Sequence, residues 1–458
     1  MTQDATTSFD IVILGAGSGG YACALRAAQL GKSVALIEKA KVGGTCLHQG
    51  CIPTKALLHA AEVAETARHG SSIGVDTSYN GVDMVAVNAY KQGVIDRLYK
   101  GLTGLVGSGG ITTIEGNGVV VDANTVEVDG VKYTGKNLVL ATGSLPRTLG
   151  LEIGGRVVTS DEALQLNEVP KRAVIIGGSV IGVEFASVWN SFGADVTIIE
   201  GLKSLVPLED PVLSKGLERA FRKRKIAFKT GVKFTGVTQN DDGAVVTLEN
   251  GDTIETDLVL VAVGRGPNSE GMGFENAGVT VDRGWVPTDE RLRTNVPGVF
   301  AVGDLVPGLQ LAHRGFAHGI FVAEEIAGLN PEPIRDSGIP RVTYCEPEVA
   351  SVGLTEAQAR EQFGDVDTYE YNLGGNGKSQ ILGTAGLVKL VRQKDGPIVG
   401  VHMLGARMGE QIGEASVIVN WEAYPEDVAQ FIHAHPTQNE SLGEAALALA
   451  GKPLHAHS

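Results

Sequence analysis

Cysteine is scarce in this chain, with 4 among 458 residues, and that scarcity excludes a disulfide-stapled secreted scaffold. A positive surplus is also missing, because 38 basic residues stand against 53 acidic ones and leave a formal charge of −15. A general nucleic-acid binder needs a basic face, so nucleic acid is excluded as a partner. No run approaches the roughly 18 consecutive apolar residues of a membrane span. Residues 1–10 hold no Lys or Arg before the first apolar run, so we expect no secretory signal and a cytoplasmic protein.

Two segments of the chain repeat one arrangement of strand, glycine loop, helix, strand and acidic residue. In the first, strands at 9–14 and 33–37 flank an alanine-rich helix. In the second, strands at 173–176 and 195–199 flank a helix over 183–192. Short apolar strands on either side of a helix are typical of a parallel βαβ unit. The sequence therefore predicts two related nucleotide-binding modules in a chain whose length fits about three domains.

The first glycine-rich loop contains Gly15, Gly17 and Gly20, and Glu38 closes its unit. Missing side chains let the backbone approach a pyrophosphate, while the helix N-terminus offers unpaired N–H donors and partial positive charge. The carboxylate would then accept a hydrogen bond from a ribose hydroxyl. Strand, loop, helix and acid together make a dinucleotide fingerprint, with a tight turn that binds no ligand as the alternative.

The second loop contains Gly177, Ser179 and Gly182, with Glu200 at the same distance from the first glycine as in the first copy. Ser179 replaces the middle glycine, which narrows the backbone approach but supplies a hydroxyl donor for phosphate. The carboxylate of Glu200 favours a free 2′-hydroxyl and repels a 2′-phosphate, and no arginine follows within residues 201–204. The second module is therefore predicted to bind NAD(H) rather than NADP(H).

Cys46 and Cys51 form a closely spaced pair. Zinc would need about four ligands, and no second cysteine cluster exists, so we predict no metal site. Residues five apart on an ideal helix have Cα atoms roughly 8–9 Å apart, whereas a disulfide allows at most about 7 Å. A bridged pair therefore needs a distorted first helical turn, for which Gly50 is suited. Near a helix N-terminus Cys51 would favour its thiolate, so a reversible redox pair is preferred over zinc ligands or two unrelated thiols.

The chain resembles the flavin-dependent pyridine nucleotide-disulfide oxidoreductases, most closely those that oxidise dihydrolipoamide. Its departures are His48, Ser179 and Gln438-Asn439, where relatives usually have Asn, Gly and Leu-Ser-like residues; none removes a catalytic group. The resemblance is carried, in the family's order over essentially the whole chain, by Gly43–Cys46, Gly50–Leu58, Ala141–Ser144, Ala262–Arg265 with Pro267-Asn268, Val302–Asp304, Leu311–Arg314, and His435–Thr437 with Glu440.

The resemblance implies FAD in the first module and NAD in the second. It places Glu38 on the adenosine ribose, Asp304 on the ribityl region and Ala312 close to the isoalloxazine. It also implies that Lys55 lies beside the flavin, paired with Glu184, although a surface ion pair is the alternative. The implied FAD contacts are Gly15, Gly17, Gly20, Glu38, Lys39, Gly44, Thr45, Lys55, Gly116, Thr142, Gly143, Ser144, Asp304 and Ala312. The implied NAD contacts are Gly177, Ser179, Ile181, Gly182, Glu200 and Gly264.

A dithiol substrate needs a base, because an ordinary thiol is mostly protonated at pH 7. Histidine titrates in the right range, and a carboxylate orients it. His435 and Glu440 match the family's base and orienting acid, whereas His433 is interpreted as structural. In relatives this pair acts on the disulfide of the partner subunit, which implies a homodimer with active sites shared between chains.

The predicted fold is α/β, with two Rossmann-like dinucleotide-binding domains for FAD and NAD and a C-terminal α+β dimerisation domain. We place the first part of the FAD-binding domain at 1–150 and the NAD-binding domain at 151–270. The second part of the FAD-binding domain, a central segment, follows at 271–338. The dimerisation domain takes 339–458.

The implied activity is NAD-dependent oxidation of protein-bound dihydrolipoamide to lipoamide, through catalytic residues Cys46, Cys51, His435, Glu440, Lys55 and Glu184. The implied partners are the lipoyl domains and acyltransferase core of 2-oxoacid dehydrogenase complexes. The alternative is a mycothione- or glutathione-type disulfide reductase, which Glu200 disfavours because those enzymes generally use NADPH. Mercuric and large thioredoxin reductases need an extra C-terminal thiol pair, which residues 451–458 lack. The intact catalytic residues argue against a purely structural subunit.

Overall fold

The computed structural model describes residues 6–455, and they divide into two compact units. The first unit comprises the described chain up to Ala56 together with Ala86–Arg147 and Gly264–Asp336. The second comprises Leu57–Val85, Thr148–Val263 and the chain from Ser337 onward. Each unit carries one of the two repeated arrangements, so the duplication seen in the sequence falls one copy to a unit.

The α-helices begin and end at residues that the glycine loops and caps set. They are α1 (Ser18–Gln29), α2 (Gly44–Gln49), α3 (Cys51–His69), α4 (Met84–Ser108), α5 (Ser160–Ala163), α6 (Val180–Phe192), α7 (Pro211–Lys223), α8 (Ala312–Ile326), α9 (Glu356–Phe363), α10 (Gly377–Leu382), α11 (Met408–Asn420), α12 (Pro425–Val428) and α13 (Glu440–Leu449). Short 3₁₀ turns include Gly303–Leu305, just before α8.

The strands are, in chain order, β1 (Thr6–Leu14), β2 (Val34–Glu38), β3 (Thr112–Glu115), β4 (Val119–Asp122), β5 (Thr125–Val128), β6 (Val131–Leu140), β7 (Ser144–Pro146), β8 (Val157–Val158), β9 (Arg172–Ile176), β10 (Asp195–Glu200), β11 (Ala227–Thr230), β12 (Phe234–Asn240), β13 (Gly243–Leu248), β14 (Thr253–Thr256), β15 (Leu258–Val261), β16 (Arg265–Pro267), β17 (Val299–Ala301), β18 (Arg341–Thr343), β19 (Glu348–Gly353), β20 (Val366–Asn372), β21 (Leu387–Gln393) and β22 (Ile398–Gly405).

The main sheet of the first unit has the order β3-β2-β1-β6-β5-β4, with β17 beside β6. Strand β1 is parallel to both β2 and β6, and its side chains Ile11 and Ile13 are fully buried in the core. Helices α1 and α8 pack together on this core through glycine. A Cβ on Gly319 would lie 2.2 Å from the carbonyl oxygen of Gly19, so only glycine permits that approach.

The second unit repeats the central parallel strands and adds an antiparallel sheet. Its parallel sheet has the order β11-β10-β9-β15-β8, so β9 lies between β10 and β15 as β1 lies between β2 and β6. A three-stranded antiparallel sheet, β12-β13-β14, follows in the chain. The antiparallel sheet β18-β19-β22-β21-β20 packs against α11 and α13. Strands predicted at 342–344, 387–391 and 398–403 correspond to β18, β21 and β22.

Helices α1 and α6 both begin three residues before the positions expected from the sequence, which were 21 and 183. The residues at their N-caps, Gly17 and Ser179, have extended backbones. The last part of each glycine loop is therefore already the first helical turn. Consequently, the unpaired N–H groups of that turn lie inside the loop, where a phosphate is predicted to bind.

Candidate active site

The first glycine loop is shaped by two close backbone approaches. Gly15 has φ +103 and donates to the carbonyl of Ile37 at 2.8 Å. A Cβ on Gly20 would lie 1.8 Å from the carbonyl oxygen of Gly15, so α1 closes tightly against the loop. A Cβ on Gly17, in contrast, would have no atom of residues 6–455 within 4 Å. The open side at Gly17 is where the backbone of a dinucleotide pyrophosphate fits.

The carboxylate of Glu38 is fixed at the mouth of this loop. Its two oxygens accept from the backbone N–H groups of Ala16 at 2.8 Å and Ala40 at 2.9 Å. The backbone of Gly116 donates to the carbonyl of Glu38 at 2.9 Å, which brings a third element to the same corner. Lys39 follows as an exposed side chain. The corner suits an adenosine ribose, the role predicted for Glu38.

The second loop reproduces this geometry residue for residue. Gly177 has φ +111 and donates to Ile199 at 2.8 Å, and a Cβ on Gly182 would lie 1.9 Å from its carbonyl oxygen. Ser179 takes the position of Gly17, so its side chain occupies the side that is open in the first loop. Ile181, the other predicted contact on α6, is partly buried. The repeat therefore presents a second dinucleotide loop with one added hydroxyl.

The redox segment is held directly on the first loop. Gly43 donates to the carbonyl of Ala16 at 2.8 Å, and a Cβ on Gly44 would lie 2.7 Å from the Cα of Gly17. Both glycines have positive φ, at +107 and +57, so this approach requires them. Thr45 and Cys46 follow as residues of α2, which begins at Gly44 and is thereby fixed against the predicted pyrophosphate site.

The helix carrying the cysteines is interrupted at Gly50, where the backbone leaves the helical region at φ −146 and ψ −107. Cys46 therefore lies in α2, while Cys51 is the first residue of α3. Thr54 donates both its N–H, at 3.1 Å, and its hydroxyl, at 2.6 Å, to the carbonyl of Gly50. This break supplies the distortion that a disulfide between residues five apart requires, and it places Cys51 at a helix N-terminus.

Cys46 and Cys51 are both present as partly buried thiols. The side-chain hydrogen bond with Cys51, followed by burial, raises the pKa of Cys46 far above its ordinary value, while the charge of Lys55 opposes that rise. One proton is thus shared by two sulfurs, and the arrangement favours a thiolate at Cys51 over one at Cys46. A pair with this division of charge is able to form, open and re-form a disulfide.

A chain of three polar side chains joins the predicted ribityl contact to strand β16. The Oγ of Ser144 donates to Asp304 Oδ2 at 2.7 Å, and Arg265 Nε donates to the same Oγ at 2.8 Å. Burial raises the pKa of Asp304, against the opposing effect of the Ser144 hydrogen bond. Thr142 Oγ1 donates to the carbonyl of Asn268 at 2.6 Å and ties the same turn to the chain after β16.

The remaining predicted residues of this corner also lie in the first unit. Gly143 has φ +73, which the turn after β6 requires, and Ala312 is the first residue of α8. Gly264 was predicted to contact NAD, but it belongs to the first unit, unlike the other predicted NAD residues. Lys55 and Glu184 fall in different units, and their pairing stays a prediction. Within its own unit, Glu184 accepts from the backbone N–H of Tyr344 at 2.8 Å.

His435 and Glu440 are joined in the second unit. His435 Nδ1 lies 2.8 Å from Glu440 Oε1, and the backbone N–H of Thr437 donates to Glu440 Oε2 at 2.7 Å. Burial opposes ionisation of Glu440, but the hydrogen bonds from Thr437 and His435 bring its pKa below the ordinary value. An ionised carboxylate on Nδ1 leaves the proton-accepting work to Nε2 of an imidazole that is 76% exposed.

Two arrangements in the site escaped sequence reasoning. Arg265 was noted only as part of a motif, yet it is a donor to Ser144. His433 was expected to be structural, and its Nε2 lies 2.9 Å from Glu414 Oε1 on α11. Neither contact has a local sequence signal, because the partners are far apart in the chain. Within residues 6–455, no group of three or more His, Cys, Asp or Glu is placed to hold a metal ion, and no helix has the length and apolarity to span a membrane.

Comparison with known proteins gives matches over the whole length. A family model described as pyridine nucleotide-disulphide oxidoreductase matches residues 9–319, and the dimerisation domain of the same description matches residues 339–446. A dihydrolipoyl dehydrogenase of Bacillus subtilis is 41% identical, covering 98% of this chain and 99% of the relative. One of Geobacillus stearothermophilus is 38% identical, with 97% of each covered. The solved structure of LpdA from Mycobacterium tuberculosis has a TM-score of 0.90 at 25% identity and covers 97% of this chain and 99% of that one.

Proposed function

The chain belongs to the pyridine nucleotide-disulphide oxidoreductase family, and from this premise we propose that it is a dihydrolipoyl dehydrogenase, which oxidises protein-bound dihydrolipoamide to lipoamide and reduces NAD⁺. The predicted family and the predicted α/β fold with a C-terminal dimerisation domain are confirmed. The prediction that the enzyme uses FAD and NAD is confirmed as well.

The observation that carries the proposal is the thiol pair at the break between α2 and α3. Cys46 and Cys51 share a hydrogen bond, and their segment contacts the first glycine loop through Gly44. A dithiol–disulfide pair beside a dinucleotide loop is the equipment for exchanging two electrons with a dithiol substrate. The pair carries no function in a simple nucleotide-dependent dehydrogenase.

The residues present fit both cofactors. In the first unit, the open side of Gly17, the carboxylate of Glu38 and the Ser144–Asp304 pair would hold FAD. In the second, the loop at Gly177 and the carboxylate of Glu200 would hold NAD. When bound, the flavin supplies a two-electron acceptor for the dithiol and the nicotinamide a final hydride acceptor.

The substrate half-reaction follows from the chain's own side chains. His435 removes a proton from one substrate thiol, and the resulting thiolate attacks Sγ of Cys46 in the disulfide. The Cys46–Cys51 bond breaks, and Cys51 leaves with the electron pair as a thiolate, the form favoured at its helix N-terminus. The second substrate thiol then attacks the mixed disulfide, which releases lipoamide and leaves both cysteines reduced.

We propose that the enzyme acts as a homodimer in which His435 of one chain serves the disulfide of the other. The matched dimerisation domain at residues 339–446 supports the dimer. The exposure of the His435 imidazole supports its use by a group outside its own unit. The same reasoning makes lipoyl domains and the acyltransferase core of a 2-oxoacid dehydrogenase complex its protein partners and the cytoplasm its location.

The test is steady-state turnover of the purified yellow protein with dihydrolipoamide and NAD⁺, compared with glutathione disulfide and mycothione as substrates and NADPH as reductant. Cys51→Ser should abolish lipoamide turnover while FAD stays bound, whereas Cys345→Ser, at a fully buried thiol, should retain it. Anaerobic NADH titration should produce a long-wavelength thiolate–flavin band. Normal turnover by Cys51→Ser, or a preference for another disulfide substrate, would overturn the proposal.

A further inference from the structure

The segment that carries the predicted base leaves the surface of the second unit with little apolar support. The imidazole of His435 is 76% exposed. The two apolar residues just before the segment, Phe431 and Ile432, are 58% and 100% exposed, so they do not pack it onto the core of the chain. The position of His435 therefore depends on the polar contacts at residues 433–439, which we call the base loop.

Glu414 of α11 binds both ends of the base loop with one carboxylate. Its Oε1 lies 2.9 Å from Nε2 of His433, and its Oε2 accepts from the side-chain amide of Asn439. His433 lies two residues before His435, and Asn439 is the N-cap of α13. Since one rigid helix holds both ends, the loop between them has a fixed span.

The electrostatics of this contact strengthen it. The hydrogen bond with Glu414 raises the pKa of His433, although burial opposes the rise. Burial also opposes ionisation of Glu414, but the contacts with His433 and Asn439 bring its pKa below the ordinary value. His433 lies flat on α13, where a Cβ on Gly443 would fall 2.5 Å from its Nδ1. The pair is charge-assisted and half-buried, so it is a stronger anchor than an exposed ion pair.

A second anchor holds the middle of the base loop. Gln438 is 6% exposed; its Oε1 accepts from Ser379 Oγ at 2.6 Å and its Nε2 donates to the carbonyl of Ala406 at 2.9 Å. Asn376 donates from its side chain to the carbonyl of Thr437 at 3.0 Å. Gln438 and Asn439 are the two positions at which the sequence departs from its relatives, and both are used to anchor the loop.

We infer that Glu414 and Gln438 are positioning residues of the reaction: they hold the base loop so that His435 keeps its contact with Glu440 and its reach to the substrate thiol. The inference deepens the proposed function and rests on it. Neither residue touches substrate, so each acts through the place of His435. Misplacement of a base by about 1 Å costs up to about 100-fold in rate.

The test compares Glu414→Ala and Gln438→Leu with Glu410→Ala, a matched control one turn away on α11 whose side chain is exposed. We expect Glu414→Ala to lower kcat for dihydrolipoamide by about 10- to 100-fold, and Gln438→Leu to lower it in the same direction. NADH-dependent ferricyanide reduction, which uses no base, should stay within about twofold of wild type. Glu414→Gln, which keeps one acceptor oxygen, should fall between the alanine variant and wild type.

The pH profile separates positioning from a general loss of structure. As the pH approaches the substrate thiol's own pKa, the thiol ionises without a base, so the deficit of Glu414→Ala should shrink. Equal losses of lipoamide and ferricyanide activity, or a deficit that is constant with pH, would overturn the inference. If the wild-type enzyme does not oxidise dihydrolipoamide, the proposed function fails, and a crystal structure of Glu414→Ala decides the inference alone. An undisturbed contact between His435 Nδ1 and Glu440 would then overturn it.

Discussion

Glu200 accepts a hydrogen bond from the backbone N–H of Gly178 at 2.6 Å. Its other oxygen accepts from Leu202 at 2.8 Å. The carboxylate is 8% exposed and aimed at the glycine loop of the second unit, in the same geometry as Glu38 in the first. A negative charge fixed at this point is positioned to accept from a ribose hydroxyl and to repel a 2′-phosphate.

Glu200→Gln should therefore lower the preference for NADH over NADPH by about 10-fold, roughly the 1.4 kcal/mol that one lost charge contact is worth. The amide keeps an acceptor oxygen for Gly178, so the loop should keep its shape. The measurement is the ratio of kcat/KM for the two reduced nucleotides.

The duplicated module supplies the control. Glu38→Gln makes the same chemical change at the same hydrogen bonds in the first unit, so it should weaken FAD binding and leave the nucleotide ratio alone. An unchanged ratio in Glu200→Gln, or an equal change in Glu38→Gln, would show that Glu200 does not select the nucleotide.

The two small residues of the second loop should respond differently to substitution. A Cβ on Gly182 would lie 1.9 Å from the carbonyl oxygen of Gly177, so Gly182→Ala should lower the free energy of unfolding by at least about 2 kcal/mol. Ser179→Ala removes only a hydroxyl on the ligand side, so its stability should match wild type while its KM for NADH changes. Thermal unfolding and steady-state kinetics measure the two effects. A stable Gly182→Ala variant would mean that the loop relaxes easily.

Local patterns made the glycine loops predictable, since a strand, a glycine turn, a helix and an acid are all set within about 25 residues. The helix starts were misplaced because Gly17 and Ser179 cap their helices, and a glycine-rich turn gives no apolar period to mark a first helical turn. Gly50 was identified correctly as the point of distortion. There the covalent limit on a disulfide, rather than helix propensity, decided the local structure.

The contacts that escaped prediction join residues distant in the chain. Arg265 reaches Ser144 from 121 positions away, and Glu414 reaches His433 from 19 positions away. Each depends on how β16 or α11 packs, which no periodicity in the sequence records. The identity of His435 and Glu440 as a pair was available from sequence because Glu440 opens α13 only five residues after the histidine.

Burial of His318 should give the enzyme an acid-sensitive stability. Burial lowers the pKa of this imidazole to about 4, and its Nδ1 accepts from the backbone N–H of Gly303 at 3.3 Å. The unfolded chain takes up a proton near pH 6.5 that the folded chain refuses until about pH 4. Stability should therefore fall as the pH drops through that window, by up to roughly 3 kcal/mol, and level off below it.

His318→Asn keeps an acceptor near the position of Nδ1 but has no proton to gain, so its unfolding free energy should fall less between pH 7 and pH 4.5. His313→Asn, at an exposed position on the same helix, should retain the wild-type pH dependence. Urea unfolding at a series of pH values makes the comparison. Parallel curves for wild type and His318→Asn would refute the assignment.

The thiol pair should show its division of charge in alkylation rates. The hydrogen bond with Cys51 is the largest cause of the raised pKa of Cys46, so Cys51→Ala should lower that pKa and speed the reaction of Cys46 with iodoacetamide at pH 8. Lys55→Met should act in the opposite direction, because the charge of Lys55 lowers the pKa of Cys46. Mass spectrometry of the anaerobically reduced holoenzyme locates the label. If Cys46 in the wild-type enzyme reacts before Cys51, the thiolate lies on the other sulfur, and the order of attack and departure in the substrate reaction must be reversed.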